Sequence, residues 1–408
     1  MLARSWWAPL VAVILASPLA VSERSASDWG LELKSIQSPA IGASGQPQLT
    51  TSSRGVLLSW VEQKGAHTAL RFAERTGAGW SEARTAASGD NWFVNWADVP
   101  SMLRLGDGTL VAQWLQKSGS GTYAYDVRLS YSKDDGRTWA PSFSPHHDGT
   151  QTEHGFVSLV QMPNAGLGLV WLDGRAMKGE HEGHGSGAMS LRFAEYNREW
   201  KQTVDVPVDL RVCECCPTTA AVTSEGVIAA FRNRSDEEVR DIFVSRLAGG
   251  KWTEPVPVSN DGWKIPGCPV NGPMLSVRGR NVAVAWFTTK HDQPQAYAAF
   301  SSDAGRTFGA PTRLDDGVSM GRVDIELLED GSAAALYIEQ VGQRTQVRVR
   351  RITSSGERSN PVVVAEIEGS KSSGYPRLAV QGNELVFAWT ARDGTTRVMT
   401  SAARLPGK

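Results

Sequence analysis

Four cysteines are the residues of this sequence whose type and spacing point most directly to chemistry. They are Cys213, Cys215, Cys216 and Cys268. Thiolates bind soft or borderline metal ions such as Cu(I) and Zn(II), and thiols in an oxidising compartment form disulfides. The sequence therefore leaves three interpretations open: two disulfides with three possible connectivities, a thiolate site for Cu or Zn, or a redox-active dithiol.

Histidines that could complete a metal site with these sulfurs occur in several predicted loops. They are His154, His181, His184 and His291. Two of them belong to the segment Glu180-His-Glu-Gly-His184, whose spacing suits metal ligands. The same composition is also typical of a solvated loop, so this segment alone does not decide between the two.

Four arginines stand near the ends of predicted strands in four different parts of the chain: Arg175, Arg232, Arg322 and Arg377. A guanidinium group is a rigid two-pronged donor that fits a carboxylate, so several arginines aimed at one point would bind an acidic ligand. A glycosidase would also need a proton donor and a nucleophile or base, for which the candidates are Asp98, Asp173, Glu339 and Tyr375. The alternative is that these side chains are solvated or form ion pairs between neighbouring structural units.

The candidate residues above lie far apart in the sequence, and a structural repeat is needed to bring them together. A turn residue followed by alternating apolar residues and an aromatic occurs seven times, with the aromatic residues spaced by 51 to 60 positions. They are Trp60, Trp114, Trp171, Phe231, Trp286, Tyr337 and Trp389. Each repeat has a period-2 pattern typical of four short strands, and radial repetition of such units is typical of a β-propeller.

We therefore predict an all-β chain that forms a single propeller of seven four-stranded blades. The segment Gly30–Ile36 belongs to no other repeat and is predicted to supply the outer strand of the last blade and close the ring. Six blades with an appended sheet, or two β-sandwiches, are the alternatives. Alignment of the repeats places Cys216-Pro217 on Cys268-Pro269, at equivalent positions of adjacent blades beside the central channel, so all four thiols are expected to be neighbours.

Two copies of a Ser-x-Asp-x-Gly-x-Thr-aromatic pattern lie between the third and fourth strands of their repeats. The first consists of Ser132, Asp134, Gly136, Thr138 and Trp139, and the second of Ser301, Asp303, Gly305, Thr307 and Phe308. Asp and Ser side chains cap backbone N–H groups in tight turns, and glycine tolerates a positive φ. The pattern resembles the Asp-box, or BNR repeat, of the sialidase superfamily.

This resemblance covers about residues 30–405 and implies a propeller in which the boxes are structural turns away from the active face. It implies an exo-α-sialidase-like glycoside hydrolase, or a carbohydrate-binding relative, acting on an acidic sugar at the channel mouth without a required cofactor. Sialidases usually have six blades and an early Arg-Ile-Pro segment, and the sequence contains no Arg-Ile-Pro.

The composition excludes some partners and indicates a compartment. A formal net charge of −1 gives no basic field for nucleic acid or for a membrane surface. Residues 1–22 have the layout of a signal peptide, with cleavage near Ser22, and residues 23–408 form the predicted propeller domain. An uncleaved anchor helix is the alternative, but no later segment is apolar enough for a membrane span. We expect a periplasmic or secreted, soluble monomer.

Three functional hypotheses follow. The first is an enzyme of the sialidase superfamily, the second is a propeller that binds a glycan or another exported ligand without turnover, and the third is a thiolate metal or redox protein. A propeller fold by itself does not choose among them.

Overall fold

The computed structural model of the protein describes residues 28–77, 79–177 and 187–407. The predicted signal peptide and the candidate ligands His181 and His184 lie outside the described residues. Within the described residues, the regular structure consists of β-strands and two 3₁₀ turns, Lys290–Asp292 and Lys371–Ser373. None of their helical segments is long and apolar enough to cross a membrane.

The strands follow one another blade by blade. Strand β1 (Leu33–Ile36) precedes the first blade, which contains β2 (Ser44–Ser52), β3 (Gly55–Lys64), β4 (His67–Thr76), β5 (Gly79–Trp80) and β6 (Arg84–Gly89). The second blade contains β7 (Ser101–Arg104), β8 (Leu110–Lys117) and β9 (Tyr125–Ser132). The third contains β10 (His154–Gln161), β11 (Leu167–Asp173), β12 (Met189–Tyr196) and β13 (Gln202–Val212).

The later blades repeat this arrangement. The fourth contains β14 (Thr219–Thr223), β15 (Gly226–Arg232), β16 (Ile242–Ala248), β17 (Lys251–Trp252) and β18 (Val256–Pro257). The fifth contains β19 (Met274–Arg278), β20 (Asn281–Thr288), β21 (Gln295–Ser301) and β22 (Thr312–Arg313). The sixth contains β23 (Val318–Leu327), β24 (Ala333–Val341), β25 (Arg344–Ile352) and β26 (Val362–Ile367), and the seventh β27 (Arg377–Gln381), β28 (Glu384–Asp393) and β29 (Thr395–Arg404).

The seven sheets form a closed ring. Strands pair in antiparallel meanders, and the outer position is split between two short strands in the first and fourth blades. In the second blade an isolated bridge between Leu129 and Phe143 takes that position. The innermost strands contact one another in chain order from β2 to β27, and β27 contacts β2 again. The predicted seven-bladed propeller is thus confirmed.

The ring closes through the chain's two ends. Strand β1 pairs with β29, with Leu33 opposite Ala403 and Ile36 opposite Thr400. Just before it, Trp29 and Leu31 are buried in an apolar cluster shared by the sixth and seventh blades. The predicted outer strand of the last blade is therefore confirmed.

The aromatic residues that marked the repeat hold the blades together. Trp171 of the third blade is fully buried against Val127 and Leu129 of the second, and Trp286 of the fifth packs against Ile242 of the fourth. Burying such a side chain stabilises the fold by about 2–3 kcal/mol relative to exposure. The core of the protein is thus a series of apolar layers between adjacent blades.

The two Ser-x-Asp segments form turns that follow the third strands. In the first, the Asp134 carboxylate accepts hydrogen bonds from the Thr138 N–H at 2.9 Å and from its hydroxyl at 2.7 Å. Gly136 has φ +78°, and a Cβ there would lie 2.4 Å from a ring carbon of Phe72 in the first blade. The turn therefore lies against the neighbouring blade, at the end of the blades opposite to the cysteines.

Candidate functional site

One face of the ring gathers the starts of the inner strands and the turns after the second strands. Along this face the chain adopts left-handed backbone conformations at Gln46, Phe156, Val270 and Arg322. Pairing shifts at bulges in β2, β10 and β23 accompany three of these residues. Bulges re-aim side chains and are common next to functional sites, and the cysteines lie on this face.

The fourth and fifth blades approach each other closely where the cysteines lie. A Cβ added to Gly272 would lie 1.9 Å from the carbonyl oxygen of Pro217. Only glycine fits there without displacing backbone. This contact brings the segment after Cys216 against the segment after Cys268.

The sulfur atoms form one cluster, defined here as the thiol cluster. The Sγ of Cys213 lies 3.3 Å from that of Cys216 and 3.9 Å from that of Cys215. All three sulfurs lie within 4.8 Å of one another. The thiol of Cys268, from the fifth blade, interacts with that of Cys215. No disulfide joins these four residues in the structure.

Cationic groups surround the most buried thiol. Burial by itself raises the pKa of Cys213, but hydrogen bonds from the neighbouring thiols and the charges of Arg240 and Arg232 hold the pKa of Cys213 well below its usual value. Arg240 donates a hydrogen bond to the Cys213 sulfur at 3.3 Å. Burial raises the pKa of Cys215 and of Cys216. The cluster therefore favours one thiolate flanked by two thiols.

A buried group of two carboxyls and one phenol lies beside the thiol cluster. The hydroxyl of Tyr125 lies 2.7 Å from Glu153 and 3.1 Å from Asp98. Burial is the largest cause that raises the pKa of Asp98 to about 7 and that of Glu153 to about 8. Since the phenol has a single proton, both contacts are hydrogen bonds only if a carboxyl is protonated. Asp98 also accepts the N–H of Phe156 at 2.7 Å, which anchors the next blade.

The four predicted arginines have separate partners. Arg232 is buried and donates to the backbone carbonyl oxygens of Arg240, Asn271 and Phe287. Arg175 binds the Asp173 carboxylate with two contacts of 2.7 Å. Backbone and carboxylate oxygens at the strand ends thus already engage these two guanidinium groups, and a clamp of all four arginines stays a prediction.

The other two arginines take part in a stack of side chains. The guanidinium of Arg322 lies 4.7 Å from the ring centroid of Trp96, which stacks on Tyr375 at 6.0 Å, and Arg377 lies 5.5 Å from that tyrosine ring. Arg322 also donates to the carbonyl oxygen of Ser370 at 2.9 Å. Cation–π contacts of this length stabilise the hub.

The predicted catalytic residues also have individual partners. Asp173 is engaged by Arg175, and Glu339 pairs with Arg348 at 2.9 Å. Tyr375 donates its hydroxyl to the carbonyl oxygen of Val270 at 2.6 Å. Each of these side chains is therefore held by a partner of its own, as Asp98 is by Tyr125 and Phe156, and their joint catalytic role stays a prediction.

Several residues of this face are not marked by any pattern in the sequence. Tyr125 lies in a third strand, Glu153 directly precedes an inner strand, and Arg240 lies between strands β15 and β16. Glu153 could have been found from the sequence, because it stands next to His154, which is itself a candidate ligand. His154, a candidate partner of the sulfurs, instead belongs to two other potential ligand groups, one with Asp148 and Asp173 and one with Asp126 and His146. His291 belongs to no potential ligand group among the described residues.

Comparisons with known proteins bear on the fold. No protein-family model matches the chain, and no curated protein is significantly similar to it. A protein of unknown function from Dyadobacter fermentans superposes with a TM-score of 0.52 and 14% identity, over 92% of this chain and 99% of that one. Polysaccharide lyase Uly1 gives a TM-score of 0.52 and 11% identity, over 93% of this chain and 94% of that one.

A mutant of the NanB sialidase from Streptococcus pneumoniae also superposes, with a TM-score of 0.46 and 10% identity, over 86% of this chain and 83% of that one. Similarity at sequence identities this low shows the fold alone. The likeness is therefore one of fold, and the chain is a seven-bladed β-propeller.

Proposed function

We propose that this protein binds a thiophilic metal ion through the thiol cluster at the hub of the propeller. The observation that carries the proposal is the spacing of the sulfurs, 3.3 and 3.9 Å from Cys213 to its two neighbours. A tetrahedral ion with metal–sulfur bonds of about 2.3 Å places its sulfur ligands about 3.8 Å apart. Cys268, which interacts with Cys215, supplies a fourth sulfur from the adjacent blade.

The chemistry of the ligands selects the ion. Sulfur-only sites favour Cu(I) or Zn(II) over hard ions such as Mg²⁺. A metal ion bound by several thiolates leaves a net negative charge, which Arg240 and Arg232 beside Cys213 offset. Among the described residues, no histidine shares a potential ligand group with the sulfurs, so the proposed ligands are sulfur alone.

The test combines elemental analysis with non-reducing peptide mapping of protein purified from its native compartment. We expect about one Cu or Zn per thiol cluster, lost in the double variant Cys213→Ser and Cys216→Ser and weakened in Cys268→Ser. The variant Ser235→Ala, in the nearby turn after β15, is the control and should retain the metal. Two intact disulfides without bound Cu or Zn in the wild type would overturn the proposal in favour of the disulfide interpretation.

A second candidate function is binding of a carbohydrate on the same face. A cavity of about 340 Å³ lies between the seventh and first blades and is lined by Trp96, Gln46, Gln63 and Thr390, among others. Thr390 is buried, and its hydroxyl has no hydrogen-bond partner within the described structure. An aromatic ring beside amide and hydroxyl groups is a suitable lining for a sugar. This candidate is binding without turnover, and it does not require an acidic sugar, since Arg175 and Arg232 are already engaged by carboxylate and backbone oxygens.

A glycan array followed by calorimetry tests this candidate. Gln63→Ala and Thr390→Val are expected to weaken a hit several-fold, whereas Gln381→Ala, at the far end of the seventh blade, should leave it unchanged. An array without hits, or a hit that none of these changes affects, would reject the cavity as a sugar site. Hydrolysis of fluorogenic sialosides by the wild type would instead support the enzyme hypothesis.

We also propose that the protein is exported from the cytoplasm. The signal-peptide pattern supports export with cleavage near Ser22, and export would bring the thiols into an environment where Cu(I) and disulfide chemistry compete. Cell fractionation and N-terminal sequencing of the expressed protein test this. A chain that retains Met1 in the cytoplasmic fraction would contradict it.

A further inference from the structure

A second cluster of potential ligands lies between the second and third blades, away from the sulfurs. We define the His154 cluster as His146, Asp148, His154 and Asp173. The first two come from the segment between β9 and β10, His154 begins β10, and Asp173 ends β11. All four side chains are at least nine-tenths buried. The function proposed above makes no use of this cluster.

The hydrogen bonds of His154 indicate which ring nitrogen carries its proton. Its Nδ1 lies 3.2 Å from the carbonyl oxygen of Thr152, which can only accept, so Nδ1 is the donor. When the ring is neutral, as metal binding requires, it presents the lone pair of Nε2 to Asp148 and Asp173. Histidines that bind metals in proteins typically donate the other ring N–H to a backbone carbonyl in this way.

The ligand atoms that face one another have no hydrogen-bond partners in the described structure. They are Nε2 of His154, whose side chain is fully buried, and Oδ2 of Asp148. These atoms lie 3.3 Å apart but are not aligned for a hydrogen bond. Two such atoms facing each other in the interior are costly unless a proton on Nε2 or a metal ion lies between them. Burial lowers the pKa of His154, but the contact with Asp148 and the charges of Asp173, Asp148 and Asp126 raise it overall, so a proton takes this position when no metal ion is bound.

A metal ion fits between these atoms. Ligands bound at about 2.0–2.1 Å around a tetrahedral ion lie about 3.4 Å apart, close to the separation of His154 and Asp148. Oδ2 of Asp173 lies 3.8 Å from the same Nε2 and belongs to the same potential ligand group. This oxygen accepts hydrogen bonds from Trp171 and Arg175, so it becomes the third protein ligand when one of these donors is released. Three ligands with one open position are typical of zinc sites that bind water or substrate.

The surroundings hold the carboxylates in place. Thr150 donates its N–H to the other oxygen of Asp148 at 3.0 Å, and Asp173 accepts from the indole N–H of Trp171 at 2.9 Å and from Arg175. His146 stacks on His154 with ring centroids 3.8 Å apart, and its Nε2 accepts the Val127 N–H. Its remaining Nδ1 therefore carries a proton and faces Asp148 at 3.3 Å, which makes His146 a positioning residue rather than a ligand.

We propose that His154, Asp148 and Asp173 bind a borderline divalent transition-metal ion such as Zn²⁺, at a site separate from the thiol cluster. The donor set of one imidazole and two carboxylates prefers such an ion to Cu(I), which the sulfurs prefer. The protein would then carry two metal sites of different chemistry on one face. Arg175, whose cation already pairs with Asp173, limits the net negative charge of the site.

The experiment uses Co²⁺ as a spectroscopic substitute for Zn²⁺ in the full-length, reduced and metal-depleted protein. A sulfur-bound Co²⁺ gives an intense near-ultraviolet charge-transfer band, whereas Co²⁺ bound by nitrogen and oxygen gives only weak visible bands. We expect two Co²⁺ per chain in the wild type. His154→Gln and Asp148→Asn should lose one Co²⁺ and retain the charge-transfer band, and the double cysteine variant should do the opposite.

Controls separate the site from general damage. His67→Gln removes an exposed histidine that pairs with Asp90 at 2.7 Å, and it should leave both ions bound. Circular dichroism checks the fold of each variant. If folded Asp148→Asn binds as much Co²⁺ as the wild type, or if the wild type binds a single ion that is lost with the cysteines, the proposal is overturned.

One readout requires no variant. X-ray absorption of the wild type loaded with Zn²⁺ should show ligand atoms at about 2.0–2.1 Å in addition to sulfur at about 2.3 Å. A spectrum that contains sulfur alone would overturn the His154 site while leaving the thiol site intact. A spectrum without sulfur ligands would overturn the thiol site and leave the His154 site intact. The two proposals can therefore fail independently.

Discussion

Nη1 of Arg240 donates a hydrogen bond to the sulfur of Cys213 at 3.3 Å. Replacement of this arginine by glutamine removes the positive charge beside the thiolate, so we expect Arg240→Gln to weaken binding of Cu(I) about tenfold, equivalent to about 1.4 kcal/mol. Competition against a colourimetric Cu(I) chelator measures the change. Arg234→Gln is the matched control, because Arg234 also binds Glu214 and Glu238 but makes no hydrogen bond to sulfur in the described structure. If both changes weaken Cu(I) binding equally, the ion pairs with Glu214 and Glu238, and not the charge beside the sulfur, determine the affinity.

The buried carboxyl of Asp98 should make stability depend on pH. Its pKa is raised from 3.8 to about 7, chiefly by burial, so the folded protein holds a proton that the unfolded chain has released between these values. Stability from this group is therefore present at low pH and is lost as pH rises toward 7. The isosteric variant Asp98→Asn does not titrate, and its free energy of unfolding relative to the wild type should increase by about 2–3 kcal/mol from pH 5 to pH 8.

Chemical denaturation at the two pH values measures this difference. Asp236→Asn is the control, since Asp236 is a mostly exposed partner of Arg211 and should show no such change. If Asp98→Asn and the wild type lose stability in parallel between pH 5 and pH 8, the buried carboxyl does not carry the proton.

The turn at Asp303 should contribute to stability but not to metal binding. Its carboxylate accepts hydrogen bonds from the N–H and hydroxyl of Thr307, at 3.0 and 2.6 Å, and from the hydroxyl of Ser301 at 2.7 Å. Asp303→Ala removes these acceptors and should lower the free energy of unfolding by about 1–2 kcal/mol. Urea denaturation measures it, with the exposed Asp393→Ala as control. A change in metal content, or a cost no larger than that of the control, would be against a purely structural turn.

The fold could be predicted from the sequence because its information is local and repeated. Each aromatic marker, such as Trp171 or Trp286, ends a period-2 apolar run, and six of the seven markers are buried between blades, while Trp389 is partly buried. Repetition turns seven weak patterns into one strong prediction. The same logic placed Cys216 and Cys268 on adjacent blades, where the contact of Gly272 with Pro217 brings their segments together.

The candidate site was less predictable because its contacts depend on side-chain direction. Arg232 lies on the expected face, yet it donates to three carbonyl oxygens that no sequence pattern marks as available. Tyr125 lies in a third strand, outside the loops at the channel mouth, but its hydroxyl contacts Asp98 and Glu153. Residue type and blade position predict which side chains share a face of the propeller. The partner of each side chain depends on hydrogen-bond distances of about 3 Å, which the sequence does not give.

Closure of the ring by β1 gives the last prediction. A chain that begins at Ser38 lacks the four pairs that join Leu33–Ile36 to Ala403–Thr400, and it also lacks the buried Trp29 and Leu31. Each of these two side chains contributes about 2 kcal/mol through burial, so the truncated chain should lose at least about 4 kcal/mol in the free energy of unfolding. Thermal unfolding compares it with a control chain that begins at Asp28. Because β29 would then be an exposed edge strand, the truncated protein should also self-associate, which sedimentation detects. A truncated chain as stable and monomeric as the control would show that the ring does not depend on this strand.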